Sequence, residues 1–133
     1  MTYARQSASY RQMEIHTASP ERLVVIVFEQ LVVSLERARL AMQRQDIELR
    51  VVSLGRARSL VSELLATLDL ESGDALANQL ADLYQFMLVE LVDVGSRQDL
   101  VTLGRLIGVA SSLRDGFVGA AEQLSATRRK SAA

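Results

Sequence analysis

The sequence predicts an all-α fold: an antiparallel four-helix bundle over residues 20–124, preceded by an N-terminal arm (1–19) and followed by a disordered C-terminal tail (125–133). Three observations carry that expectation. Apolar residues recur three and four apart along four separate stretches, no stretch alternates with the period of a strand, and the one proline stands at a helix start. Short connections between amphipathic helices favour up-down packing.

Helix 1 is announced by Ser19-Pro20-Glu21. The serine hydroxyl can accept a bond from the first turn, proline has no N–H to leave unpaired there, and the glutamate complements the helix dipole. Its seam is Val24, Phe28, Leu31, Leu35, Ala38 and Met42, running to about Gln45. The stretch Leu23 to Val33 is apolar on nearly every side and is expected to lie centrally. Helix 2 carries Leu54, Ala57, Val61, Leu64 and Leu68 and stops before Ser72-Gly73, after which Asp74 can cap the next helix. Helix 3 carries Leu76, Leu80, Leu83, Met87, Leu91 and Val94 and is expected to end at Gly95. Ser96 and Asp99 then offer a weak capping box to helix 4, whose seam is Leu103, Leu106, Ala110, Leu113, Phe117, Ala120 and Leu124. The tail from Ser125 lacks apolar periodicity, and Arg128, Arg129 and Lys130 read as a solvated end.

Composition narrows the function. Fifteen Lys and Arg against sixteen Asp and Glu leave a net charge of −1, so no basic field exists to draw in nucleic acid. The longest apolar run, Leu23 to Phe28, is far short of the ~20 residues that cross a bilayer, so no membrane insertion is expected. No secretory leader pattern is visible, and the expected location is cytoplasmic. There is no cysteine, hence no disulfide, thiolate nucleophile or Cys-based zinc site.

Catalysis fares no better. Di-iron bundles need two Glu-x-x-His pairs, and this chain has a single histidine, His16, in the arm. The same scarcity removes Ser-His and Cys-His machinery, and the glycines fall inside a helical pattern rather than in a phosphate loop. No cofactor, metal or catalytic residue is expected, and the protein does not read as an enzyme.

What remains is surface. Helices 2 and 3 hold apolar residues beyond one seam, namely Leu49, Val52, Leu60, Leu65, Leu88, Val89 and Val92, which suggest grooves for a partner, although wider core faces would account for some of them. Gly104 and Gly108, with Ser111, Asp115 and Gly119, line the side of helix 4 opposite its seam, where a second backbone could approach closely or where the surface is simply weak. The arm carries Tyr3, Tyr10, Met13 and Ile15, more apolar surface than a purely solvated segment requires.

Taken in order, TASPERL, VFEQ, ARLAMQRQDI, RARSLVSELLATLD, LADLYQFM and a last helix opening near DLVTL resemble the flagellar secretion chaperone family (FliS) from about Tyr10 to Leu124. The resemblance implies a cytoplasmic export chaperone that binds the C-terminal segment of flagellin, prevents its premature polymerisation and presents it to a flagellar export gate component. It also implies that Ser19 and Pro20 start the first helix, that Leu23 and Phe28 are its first core positions, that Leu68 and Asp69 end the second helix, and that Leu83, Tyr84 and Met87 are a third-helix signature. Tyr10, Met13 and Ile15 fall where family members carry a cap that flagellin displaces. Glu29-Gln30, Gln85-Phe86 and Phe117 depart from the family's usual Asp-Gly, Asp-Tyr and Trp, which bears on flagellin preference more than on fold. The flagellin-binding or cap candidates are therefore Tyr10, Met13, Ile15, Val52, Leu60, Leu65, Leu88, Val92, Gly104 and Gly108. An alternative without flagellin is a helical adaptor or oligomerisation module of a signalling complex, whose outer apolar rows pair with such a partner or form a homodimer.

Overall fold

The computed structural model describes residues 18–132 and holds four helices, α1 (Pro20–Arg44), α2 (Ile47–Ala66), α3 (Ala75–Arg97) and α4 (Leu100–Ala132), with no strand among the described residues. Local chemistry explains each start. The Ser19 hydroxyl accepts from the Arg22 N–H at 3.2 Å, Asp46 accepts from Leu49 at 3.1 Å, and Asp74 accepts from Leu76 at 2.9 Å. Asp99 is the most fully engaged cap, accepting from the Thr102 N–H at 3.1 Å and from its hydroxyl at 2.6 Å, and these bonds hold its carboxyl below the ordinary range. Ser96 is not part of the cap, because α3 runs past it to Arg97.

Two of the three connections are the same dipeptide. Arg44-Gln45-Asp46-Ile47 and Arg97-Gln98-Asp99-Leu100 each end one helix on a left-handed glutamine, at φ 57° and φ 53°, and start the next on the aspartate cap. In the first turn the Asp46 N–H returns to Ala41 O at 2.8 Å, which closes the α1 end within two residues. A side chain in the left-handed region costs roughly 1–2 kcal/mol, partly offset in any comparison with glycine by glycine's greater freedom when unfolded. Gln45→Gly and Gln98→Gly are therefore each expected to raise stability by about 0.5–1 kcal/mol, read as a higher urea midpoint.

The core gathers Phe28, Leu31, Leu35 and Ala38 of α1, Leu54, Ala57, Leu60, Val61 and Leu64 of α2, Tyr84, Met87, Leu91 and Val94 of α3, and Leu103, Leu106, Ile107 and Ala110 of α4. Helix α1 packs against both α2 and α4, α3 packs against α2, and α3 touches α4 only lightly. Arg56 of α2 donates to Gln30 of α1 at 2.9 Å. Gly95, late in α3, lies so near α2 that a Cβ there would stand 3.3 Å from Leu54 Cδ1. Glycine at this point lets the two helices approach.

Several expectations are corrected. Helix α4 does not end near Leu124 but continues through Ala132, where a disordered tail is expected from the sequence. Beyond Gly119 the segment has neither Gly nor Pro and is rich in alanine, Arg129 and Lys130 suit a helix C-terminus, and Arg128 forms a bidentate pair with Glu21 in the first turn of α1. Leu23 and Val33 are exposed rather than central, because α1 has neighbours on two sides and solvent on the third. Val25 is buried at the start of α1, whereas Val24 is half-buried. Leu68 lies past the end of α2, which closes at Thr67 with its hydroxyl on Leu64 O at 2.6 Å.

Candidate functional site

Helices with a continuous apolar seam normally bury it along their whole length. In α3 and α4 they do not. Leu91, Val94, Leu103 and Leu106 are buried, but Leu80, Leu83, Leu113 and Phe117 are only half-buried, and Leu76 and Leu124 are 59% and 44% exposed. The light contact between α3 and α4 is the cause: neither helix covers much of the other's seam.

Aromatic rings form the floor of that open seam. The Phe28 ring stacks on Phe117 at 5.0 Å with planes 26° apart and tilts against Tyr84 at 6.4 Å and 53°. Tyr84 is itself buried, which pushes its phenol up to about 12 and keeps it neutral across the physiological range. The seam thus offers shape and apolar surface. Among the described residues no three His, Cys, Asp or Glu side chains come together, so the arrangement provides no cluster for a metal ion. Nor does any helix among them have the length and apolarity to cross a membrane.

A second apolar row lies beside α2. Leu88, Val92 and Gly95 are spaced four and three apart and share one side of α3, the side that Gly95 places against Leu54. Leu88 is half-buried there and Val92 is 59% exposed; Leu65 is half-buried on α2. Val52 is 62% exposed on the side of α2 away from its buried face. Leu60 is a correction, being wholly buried in the core: it belongs to the broad inner face formed with Ala57, Val61 and Leu64, not to a groove. Gly104 is half-buried and Gly108 exposed, and a Cβ at either would meet nothing within 4 Å, so nothing in the described structure demands glycine there. A shallow hollow on α1, lined by Val32, Val33, Glu36 and Leu40 among others, is separate from both rows. Tyr10, Met13 and Ile15 lie outside the described residues, as does His16.

Sequence reasoning placed Leu76, Leu80, Leu83, Leu113, Phe117 and Leu124 in the core and so missed the open seam. Periodicity shows which face of a helix is apolar and says nothing about whether a neighbour covers it. Exposed Phe86, 55% accessible on α3, was missed for a different reason: it stands off the seam, beside the exposed Val89 three residues on.

Comparison with known proteins points in one direction. The family model described as flagellar protein FliS matches residues 2–124. The chain is 28% identical over 108 residues to the flagellar secretion chaperone FliSB of Pseudomonas aeruginosa, an overlap covering 81% of this chain and 86% of that one. It is 29% identical over 111 residues to the flagellar secretion chaperone FliS of Campylobacter jejuni, covering 82% and 85%. Against the protein of the same name from Salmonella typhimurium the identity is 27% over 114 residues, covering 82% and 84%.

Proposed function

The chain belongs to the flagellar protein FliS family, and from that premise we propose that it is a cytoplasmic export chaperone that binds the C-terminal segment of flagellin, keeps it from polymerising early and hands it to a component of the flagellar export gate. The observation that carries this reading is the unclosed α3–α4 seam over its aromatic floor. An amphipathic segment laid there would complete the missing wall, which is how helix-in-groove recognition works. The row of Leu65, Leu88 and Val92 extends the surface around α3, so that a partner long enough to fold on binding can wrap both sides.

This reading takes the four helices as an antiparallel bundle. Two-residue turns reverse the chain at Gln45-Asp46 and Gln98-Asp99, Gly95 of α3 sits by Leu54 of α2, and Arg128 of α4 reaches Glu21 of α1, all of which support alternating directions. Residues 1–19 then form an arm whose Tyr10, Met13 and Ile15 compete with flagellin for the apolar rows.

Calorimetric titration with a peptide matching a flagellin C-terminus is expected to show saturable binding with a negative heat-capacity change, the mark of apolar burial. Deleting residues 1–15 is expected to tighten that binding, since a competitor that must be displaced lowers apparent affinity. Absence of heat at high micromolar peptide rejects the chaperone reading. Weaker binding after the deletion rejects the competing arm and makes it part of the site.

A further inference from the structure

The last four turns of α4 are helical without a core to explain it. The buried residues of α4 end at Ala110, the half-buried Phe117 is the last of its residues packed against the core, and residues 118–132 contribute none. A helix of that length is marginal in water by itself. Two further features bracket the segment. At its start stand Gly116 and Gly119, with open space around each, and each glycine weakens a helix about fivefold relative to alanine in the local equilibrium. Near its end the Arg128 guanidinium grips both carboxylate oxygens of Glu21, a residue further anchored through Ser19 at the start of α1. Among the described residues it is the polar contact that ties these turns to another helix.

We propose that residues 120–132 of α4 form a hinged segment, with Gly116 and Gly119 as the hinge and the Glu21–Arg128 pair as the latch: latched, it holds Leu124 in place at the end of the open α3–α4 seam, and released, it withdraws Leu124 from that seam. Planar bidentate pairing is the geometry in which an exposed ion pair contributes most, and the pair joins residues far apart in sequence, so its loss frees the whole segment at once. The glycines then have a task that needs no second backbone against them. They set how easily the segment leaves.

Amide hydrogen exchange on the full chain tests this without any partner. Arg128→Ala is expected to speed exchange of residues 120–132 by about twofold to fivefold while leaving core amides such as Leu35 and Leu91 unchanged. The direction is diagnostic, because alanine is the better helix former and a purely local role for Arg128 would slow exchange. Arg128→Lys should fall between, and raising the salt from low to molar ionic strength should speed the unmodified chain but not Arg128→Ala. Replacing Gly116 and Gly119 together by alanine should slow the same amides by about tenfold or more. The hinged segment is overturned if Arg128→Ala leaves residues 120–132 unchanged, if Arg129→Ala matches it, or if the double glycine substitution has no effect on them.

Discussion

Phe28→Ala is expected to remove about 3–5 kcal/mol of stability, enough to shift the urea midpoint by one to several molar and to leave a visibly unfolded fraction near room temperature. The ring is fully buried and touches aromatic residues of two other helices, Tyr84 of α3 and Phe117 of α4. Alanine would leave a void that these neighbours cannot close, since each is held by its own helix. The cost would therefore combine lost apolar transfer, an unfilled cavity and two broken ring contacts. Phe86→Ala provides the matched control: the same truncation at an exposed position on α3 should change stability by less than about 0.5 kcal/mol. Equal losses at the two positions would mean that the aromatic cluster does not organise the core.

Leu76→Asp combined with Leu124→Asp is expected to weaken flagellin-peptide binding by about a hundredfold or more while leaving the urea midpoint nearly unchanged. Both leucines are exposed at the open part of the seam, so the free protein loses little when they become polar. A bound apolar segment would have to desolvate two carboxylates. Asp is also compatible with the first turn of α3, where Leu76 lies, so Leu76→Asp alone separates loss of the surface from any helix loss that Asp brings at position 124 of α4. Wild-type affinity in this double variant would place the binding surface elsewhere on the bundle. The Leu88 and Val92 row beside α2 would then be the next surface to alter.

Most of the architecture could be read from local chemistry. The caps at Ser19 and Asp74 are functional-group arguments, and the structure forms both bonds. Apart from Val24 and Leu68 at their outer ends, the seams of α1 and α2 also follow from spacing, because each helix packs between two neighbours and buries what periodicity marks. The reading fails where tertiary context decides. Leu83 and Tyr84 are adjacent, and only the position of α1 beside Phe28 selects the tyrosine as the buried one. Val92, roughly 140° from the centre of its seam, is exposed as that angle requires, whereas Leu60, roughly 80° from the centre of its own, stands on a flank whose burial depends on which neighbour lies there. The repeated Arg-Gln-Asp turn was available in the sequence but carries no glycine, the usual sign of a left-handed helix end. The far end of α4 also carries an ion pair to Glu21, more than a hundred positions away, which no local window contains.

Tyr84 gives the folded body an optical gauge of its own. The chain has no tryptophan and three tyrosines, and among the described residues Tyr84 is the one tyrosine. Burial beside Phe28 holds its ionisation off to about 12, whereas a solvated phenol titrates near 10. Its late absorbance step in an alkaline titration therefore reports an intact aromatic floor, without a label. Because a phenol that stays neutral when folded but ionises readily when unfolded favours the unfolded chain as pH rises above about 10, the same ring also marks the alkaline edge of the fold's working range.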